Sequence, residues 1–424
     1  MDTKVFPSSL SGSLSLPPSK SHTLRAILLA SLAHGVSTIN QFLVSPDTHA
    51  MIHAVSLLGA KITLSGNRLE IVGTAGTLKP ARDMIDCGNS GQVLRFVGAI
   101  AGLIPSYTIL TGDRSIKQNR VVLPLLQGLN QLGALALSLP GNDRPPLLIK
   151  GPLTGKSARI QGEDSQPVSA FLMAAALRKE PTELHVTNPG EKPWVDLTLS
   201  WLERLGLAYE REGYSVYRLP GNGKIKAFTC TIPGDWSSAA FPLIAGLITN
   251  STLTLYNADL QDPQGDKKIV QILRERGAAF SYDEKSQSLT LHKGAELKGG
   301  RMDLNDCIDA LPALATLACF CKGRTEIVGS AISRKKESDR IAAMAQELKK
   351  MGGCIEETEE GLIIEKSPLH GATLSSHSDH RVALALFTGA LGASSPSEIT
   401  GTECIDKSYP DFCIDLRKVG AKIE

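Results

Sequence analysis

Two serines and two cations precede an apolar run in Leu16-Pro17-Pro18-Ser19-Lys20-Ser21-His22-Thr23-Leu24-Arg25, which leads directly into Ala26–Ala33. Pro17 and Pro18 hold the chain extended and keep it from entering a helix early. Ser19 or Ser21 can then cap a helix beginning near Thr23. Helix N–H groups and the positive end of the helix dipole gather there within reach of Lys20 and Arg25, forming a seat for a phosphate or carboxylate. Taken alone, the segment reads equally well as a capped helix with two solvated cations.

Other polar loops carry side chains of the same kind. Cys87-Gly88-Asn89-Ser90-Gly91-Gln92-Val93-Leu94-Arg95 joins two glycines, which permit close backbone approach, to Arg95 one turn into a helix. Lys117-Gln118-Asn119-Arg120 reads as a polar loop after an expected strand, Tyr107–Leu110. Glu163-Asp164-Ser165-Gln166 and Glu191-Lys192-Pro193-Trp194-Val195-Asp196 follow. Farther on stand Asp306–Asp309, Arg334–Arg340, Asp379-His380-Arg381 and Lys407-Ser408-Tyr409-Pro410-Asp411. A charge run such as Arg334–Arg340 is, by itself, more often a solvated helix start. His377 and His380 make an H-x-x-H that is more often structural, and no carboxylate–histidine set has the spacing of a metal cage. No metal is therefore expected.

An internal repeat must position these loops. Amphipathic helical patterns end at Leu58-Gly59, Leu132-Gly133, Leu205-Gly206, Arg276-Gly277, Met351-Gly352 and Val419-Gly420, each glycine suited to a left-handed helix cap. After all but the last come two short alternating runs around a turn, such as Lys61–Leu64 with Arg68–Val72. A second series of helices, apolar nearly all round, begins near Thr23, Gly91, Pro167, Ser237, Asp309 and Arg381 and belongs inside a core. The unit is βαβαββ, and the fold class is α/β. Six units split into two groups of three, and the unfinished last one needs strands that Lys4–Leu16 can supply. The expected domains are therefore 1–18 plus 235–424, and 19–234, joined by a two-strand hinge. The buried helices would aim their N-termini at a cleft that is positive without a positive protein.

Composition sets the remaining bounds. The 424 residues include 42% hydrophobic and 21% charged, with a formal net charge of +2, so neither a nucleic-acid-binding excess nor an acidic tail is present. The eight cysteines never form C-x-x-C, and without a secretory signal they read as reduced thiols. No apolar run reaches membrane-spanning length; Pro105 interrupts Val97–Leu110, for example. A soluble, cytoplasmic, monomeric protein without nucleic-acid or membrane partners is expected.

Together these segments resemble the 5-enolpyruvylshikimate-3-phosphate synthase family over essentially the whole chain. The specific motifs are Leu16-Pro-Pro-Ser-Lys-Ser21, Gly88-Asn-Ser-Gly91 with Arg95, Lys336-Glu-Ser-Asp-Arg340, Asp379-His-Arg381 and Lys407-Ser-Tyr-Pro-Asp411. The resemblance implies two inside-out α/β domains of three βαβαββ units each. It also implies transfer of the enolpyruvyl group of phosphoenolpyruvate to shikimate 3-phosphate, in chorismate biosynthesis, with no cofactor. Lys20, Ser21, Arg25, Ser165 and Gln166 would bind shikimate 3-phosphate, with Lys20 also reaching phosphoenolpyruvate. Asn89, Gly91, Gln92 and Arg120 would line the phosphoenolpyruvate pocket, and Arg340, Arg381 and Lys407 would grip its carboxylate and phosphate. Lys336 would be a further contact. Asp309 would face the attacking 5-hydroxyl, Glu337 would handle the proton at the methylene carbon, and Lys20 or Lys407 could share that role.

Departures from the family pattern are Gln92, where Thr is common, Asp164 and Glu191, where Ser is usual, and Trp194, often Tyr. Two rival readings share the fold. A UDP-N-acetylglucosamine enolpyruvyl transferase would carry a cysteine in the loop Thr111–Arg120, which has none. A non-catalytic phosphorylated-metabolite-binding protein would have lost Asp309, Glu337 or Lys20.

Overall fold

The computed structural model describes residues 2–424. Short alternating runs assemble into six sheets of four strands, each with the same plan: a parallel pair continued by two antiparallel strands. In one of them Ile85–Asp86 runs parallel to Tyr107–Thr111, which pairs antiparallel with Leu147–Lys150, itself antiparallel to Leu135–Ser138.

The chain divides into two compact units, one comprising Pro18–Ile232 and the other joining the stretch up to Pro17 to Pro233–Glu424. These borders fall one and two residues ahead of the expected 18/19 and 234/235. Within the first unit, Thr229–Thr231 closes the first sheet beside Val36–Asn40 just before the chain leaves. Within the second, Asp2–Phe6 pairs antiparallel with both Ser397–Thr400 and Lys422–Ile423, completing the sheet that the C-terminus leaves short. Ser11–Ser15 then opens another sheet by running parallel to Thr252–Tyr256.

Each unit encloses three helices that lack a polar face. Lys20–Leu32, Gly91–Ala101 and Ser165–Leu177 lie in the first, and Trp236–Ile248, Leu311–Ala318 and His380–Leu391 in the second. Their side chains are buried almost all round, and the buried apolar residues of each unit form one contiguous cluster. The surface helices end where the repeat requires: Gly59, Gly133, Gly206, Gly277, Gly352 and Gly420 all take positive φ, from +70° to +110°.

Three local expectations need correction. The first helix begins at Lys20 rather than near Thr23, because Ser19 is extended and its hydroxyl already accepts from the His22 N–H. Lys117–Asn119 is not loop: Asp113 caps a short helix, Arg114–Asn119, accepting from the Ile116 N–H at 2.9 Å. Around Asp309 the chain first forms a 3₁₀ turn, Ile308–Ala310, and becomes α-helical only at Leu311, with Pro312 in the first turn, where its missing N–H costs nothing. All eight cysteines are unpaired thiols. Burial pushes those of Cys230 and Cys321 up to about 11, away from the nucleophilic range. No helix among the described residues is long and apolar enough to cross a membrane.

Candidate active site

In the unit Pro18–Ile232 the first turns of the three buried helices are tied to one another. Ser19, Ser90 and Asp164 cap them, each side chain accepting a backbone N–H. Gln92 Nε2 donates to Ser21 Oγ at 3.2 Å, linking the first helix to the second. Arg95 links the second to the third, donating to Gln166 Oε1 at 3.3 Å and pairing with Asp164 Oδ2 at 3.1 Å. A Cβ on Gly91 would lie 3.0 Å from Arg95 Nη1, 3.2 Å from Gln166 Oε1 and 3.8 Å from Arg120 Cζ, so these four residues share one small volume. Asn89 donates to Asp113 Oδ2 at 2.7 Å.

Lys20 Nζ lies 3.6 Å from Asp47 Oδ2, and the same oxygen accepts from Ser90 Oγ at 2.9 Å. Asp47 thus holds the lysine over the first two helix N-termini. Ser165 donates both its N–H and its hydroxyl to Glu191 Oε2, at 2.8 and 2.9 Å. Asp164 and Glu191, the two carboxylates at positions where the family pattern has serine, are therefore engaged with Arg95 and Ser165. Arg25 is 1% exposed. Its guanidinium donates to Thr198 Oγ1, Ser169 Oγ and the carbonyls of Ser21 and Trp194, all neutral acceptors. Burial pulls its pKa down to about 9, which leaves it charged at neutral pH directly beneath Ser21.

The second unit gathers charges of both signs. Arg340, 1% exposed, donates to Asp379 Oδ2 at 2.8 Å, to Asp309 Oδ1 at 2.7 Å and to Glu337 Oε2 at 2.9 Å. Burial opposes its charge, but Asp379, Glu337 and Asp309 outweigh burial and raise its pKa above the ordinary arginine value. Arg381 Nη2 reaches Asp309 Oδ2 at 2.9 Å, and Lys407 Nζ reaches Glu337 Oε1 at 2.7 Å. Asp379 also caps the last buried helix through the Arg381 N–H and accepts from Ser338 Oγ at 3.1 Å. Lys336 is buried nearby in sequence, 8% exposed. Behind Asp309 and Arg381 lies Asp266, fully buried and hydrogen-bonded by Ser237. Its carboxyl is pushed up to about 7, first by burial and then by the Asp309 charge, with Arg381 acting in the opposite sense.

Within the first unit the structure therefore brings together Ser21, Gly91, Gln92, Arg120 and Gln166, with Lys20 held beside Ser90. Within the second it brings together Asp309, Glu337, Arg340, Arg381 and Lys407. Asp47, Asp266 and Asp379 have structural parts in these clusters that residue spacing did not assign. Asp379 lay in a recognised motif, whereas Asp47 was visible only as a helix-start residue after Ser45-Pro46.

Guanidinium and ammonium groups beside carboxylates and helix N-termini, on a sixfold-repeated α/β frame, are chemistry that can hold small anions. Residues 6–416 match the family EPSP synthase (3-phosphoshikimate 1-carboxyvinyltransferase). A relative from Chlamydia caviae named 3-phosphoshikimate 1-carboxyvinyltransferase is 41% identical over 423 residues, spanning 99% of this chain and 94% of the relative. The solved EPSP synthase of Acinetobacter baumannii superposes with a TM-score of 0.82 at 28% identity, covering 100% of this chain and 99% of that one. The enolpyruvyl transferase NikO from Streptomyces tendae shares the fold, with a TM-score of 0.80 at 17% identity over 100% of this chain and 98% of that one. The chain belongs to the EPSP synthase family.

Proposed function

We propose that this protein transfers the enolpyruvyl group of phosphoenolpyruvate to the 5-hydroxyl of shikimate 3-phosphate and releases phosphate. Two polyanions repel each other, so local cations must offset their charge and fix their orientation. Lys20, Ser21, Ser165 and Gln166 bind shikimate 3-phosphate, with Arg25 supplying buried positive charge under Ser21. Asn89, Gly91, Gln92, Arg120, Lys336, Arg340, Arg381 and Lys407 serve phosphoenolpyruvate. Arginine suits bidentate contacts to carboxylate and phosphate, while lysine supplies a point charge and a movable proton.

The addition step needs a base at oxygen and an acid at carbon. Asp309 takes the 5-hydroxyl proton as that oxygen bonds to the central carbon of phosphoenolpyruvate. Glu337 delivers a proton to the methylene carbon, drawing on Lys407 at 2.7 Å. The resulting ketal phosphate then loses phosphate, and a proton leaves the new methyl group to restore the double bond. This sequence calls for no cofactor. Both guanidiniums hold Asp309, and substrate anions that draw on Arg340 and Arg381 would free its oxygens to accept the hydroxyl proton.

The observation that carries the reading is the Asp309 carboxylate set between Arg340 and Arg381, which puts a proton acceptor against two anion-binding groups. The absence of cysteine from Thr111–Arg120 disfavours the nucleotide-sugar reading. A cytoplasmic location goes with eight unpaired thiols. Phosphate release tests the reading, with each substrate omitted in turn and UDP-N-acetylglucosamine as alternative acceptor. Release that requires both shikimate 3-phosphate and phosphoenolpyruvate is expected. Release with the nucleotide sugar alone, or with neither acceptor, would overturn it.

A further inference from the structure

Arg340 and Glu347 stand seven residues apart on the helix Arg340–Lys350, hence on one face and about 10 Å apart along its axis. Both fasten the same turn, which links the strand Thr373–Ser375 to the buried helix His380–Leu391. Arg340 holds its far end at Asp379, through bonds of 2.8 and 3.3 Å. Glu347 holds its near end: Oε2 accepts the Ser375 N–H at 2.9 Å, and Oε1 accepts from His377 Nε2 at 2.8 Å. A carboxylate acceptor requires that Nε2 carry hydrogen. Glu347 is fully buried, and Lys350 donates to both its oxygens. Burial works against its charge, yet the bonds from Lys350, Ser375 and His377 keep its carboxyl below the ordinary value.

The turn so held is strained. His377 and Ser378 are consecutive non-glycine residues in the left-handed region, with φ of +51° and +56°. Such strain persists only where the surroundings over-determine the backbone, and it gathers at functional sites. Ser376 ties the interior of the turn, donating to the Gly401 carbonyl at 2.8 Å and accepting the Ser378 N–H at 3.1 Å. Asp379 follows directly on the two strained residues and points its carboxylate at Arg340.

We propose that Glu347 and His377 are positioning residues: by clamping Ser375 and the His377 ring, they hold the left-handed turn that aims Asp379 at Arg340. They thereby set Arg340 and Arg381 for an anionic substrate. In naming phosphoenolpyruvate as that substrate, the proposal rests on the function proposed above.

The test compares His377→Ala, His377→Gln, which keeps an N–H donor, and Glu347→Gln, with thermal unfolding of each recorded first. His377→Ala should raise KM for phosphoenolpyruvate about tenfold while KM for shikimate 3-phosphate stays within about twofold, and His377→Gln should recover most of the loss. Equal increases in both KM values, or a lowered Tm with no selective change, would overturn the proposal in favour of plain fold support. Should Glu347→Gln fail to fold, the His377 pair decides. A crystal structure of His377→Ala decides independently of activity: the turn should leave positive φ and the Asp379–Arg340 contacts should lengthen. Unchanged contacts would overturn the clamp. A wild-type protein that releases no phosphate would overturn the functional reading, leaving the clamp to the crystal structure.

Discussion

Arg340 donates to Asp309 Oδ1 at 2.7 Å across 31 residues of chain, joining a proposed substrate-gripping cation to the proposed base. Arg381 occupies the other oxygen at 2.9 Å. The base is thereby oriented by the same groups that would draw phosphoenolpyruvate in. Asp309→Asn keeps the shape of this contact but cannot take a proton. Its kcat should fall by about 10²–10⁴-fold while both KM values change little. Steady-state kinetics check this, and near-normal turnover would remove Asp309 from the base role.

Arg340 also matters for stability. Its removal leaves Asp379, fully buried, with hydroxyl and backbone donors and the His380 ring at 3.7 Å, and deprives Glu337 and Asp309 of one partner each. Breaking a buried pair from one side costs on the order of 3–5 kcal/mol. Arg340→Ala should therefore lower the urea midpoint markedly with little change in slope, as followed by circular dichroism. An unchanged midpoint would mean that the buried carboxylates find other compensation.

Gly91 is predicted to tolerate no side chain without loss. A methyl there approaches the Arg95 guanidinium at 3.0 Å and the Gln166 amide oxygen at 3.2 Å, and both must give. Gly91→Ala should raise KM for phosphoenolpyruvate by about tenfold with kcat less affected, because Arg120 lies on the same side. Substrate titrations of the variant measure this, and an unaltered KM would place phosphoenolpyruvate away from Gly91.

Asp266 gives a pH dependence of defined sign. Its carboxyl is raised in the folded protein to about 7, by burial and by Asp309, whereas an unfolded aspartate titrates near about 4. Between those values the folded state binds more protons, so this group's stabilising contribution is fully present below about 4 and is lost as pH rises through about 7. Asp266→Asn should flatten that decline in denaturation midpoints measured from pH 4 to 8. A variant with the same slope as wild type would show that Asp266 titrates normally.

The repeat is legible in the sequence because each surface helix ends at a glycine that turns left-handed, a local demand that leaves a local mark. Ser19 and the motif residues Lys20, Gly91, Arg340 and Arg381 are legible for a similar reason, since helix starts and anion contacts need particular side chains at short spacing. Asp47 beside Lys20, Asp266 behind Asp309, and Glu347 under His377 are not. Each reaches its partner through tertiary packing, from a segment whose own pattern is that of an ordinary helix or turn. Asp164 shows the converse. In the sequence it reads as a departure from the family pattern, a carboxylate where serine is usual, and only the fold reveals that it caps a helix and pairs with Arg95.

Following the transferred carbons separates enolpyruvyl transfer from hydrolysis of phosphoenolpyruvate. Phosphoenolpyruvate labelled with carbon-13 at its central and methylene carbons would be incubated with shikimate 3-phosphate and the purified protein, and the mixture read by NMR. Enolpyruvyl transfer puts both labels in an enol ether on the 5-oxygen of shikimate 3-phosphate, with one phosphate released for each transfer. Phosphate release with the label recovered as pyruvate, or label left in phosphoenolpyruvate under all conditions, would contradict it.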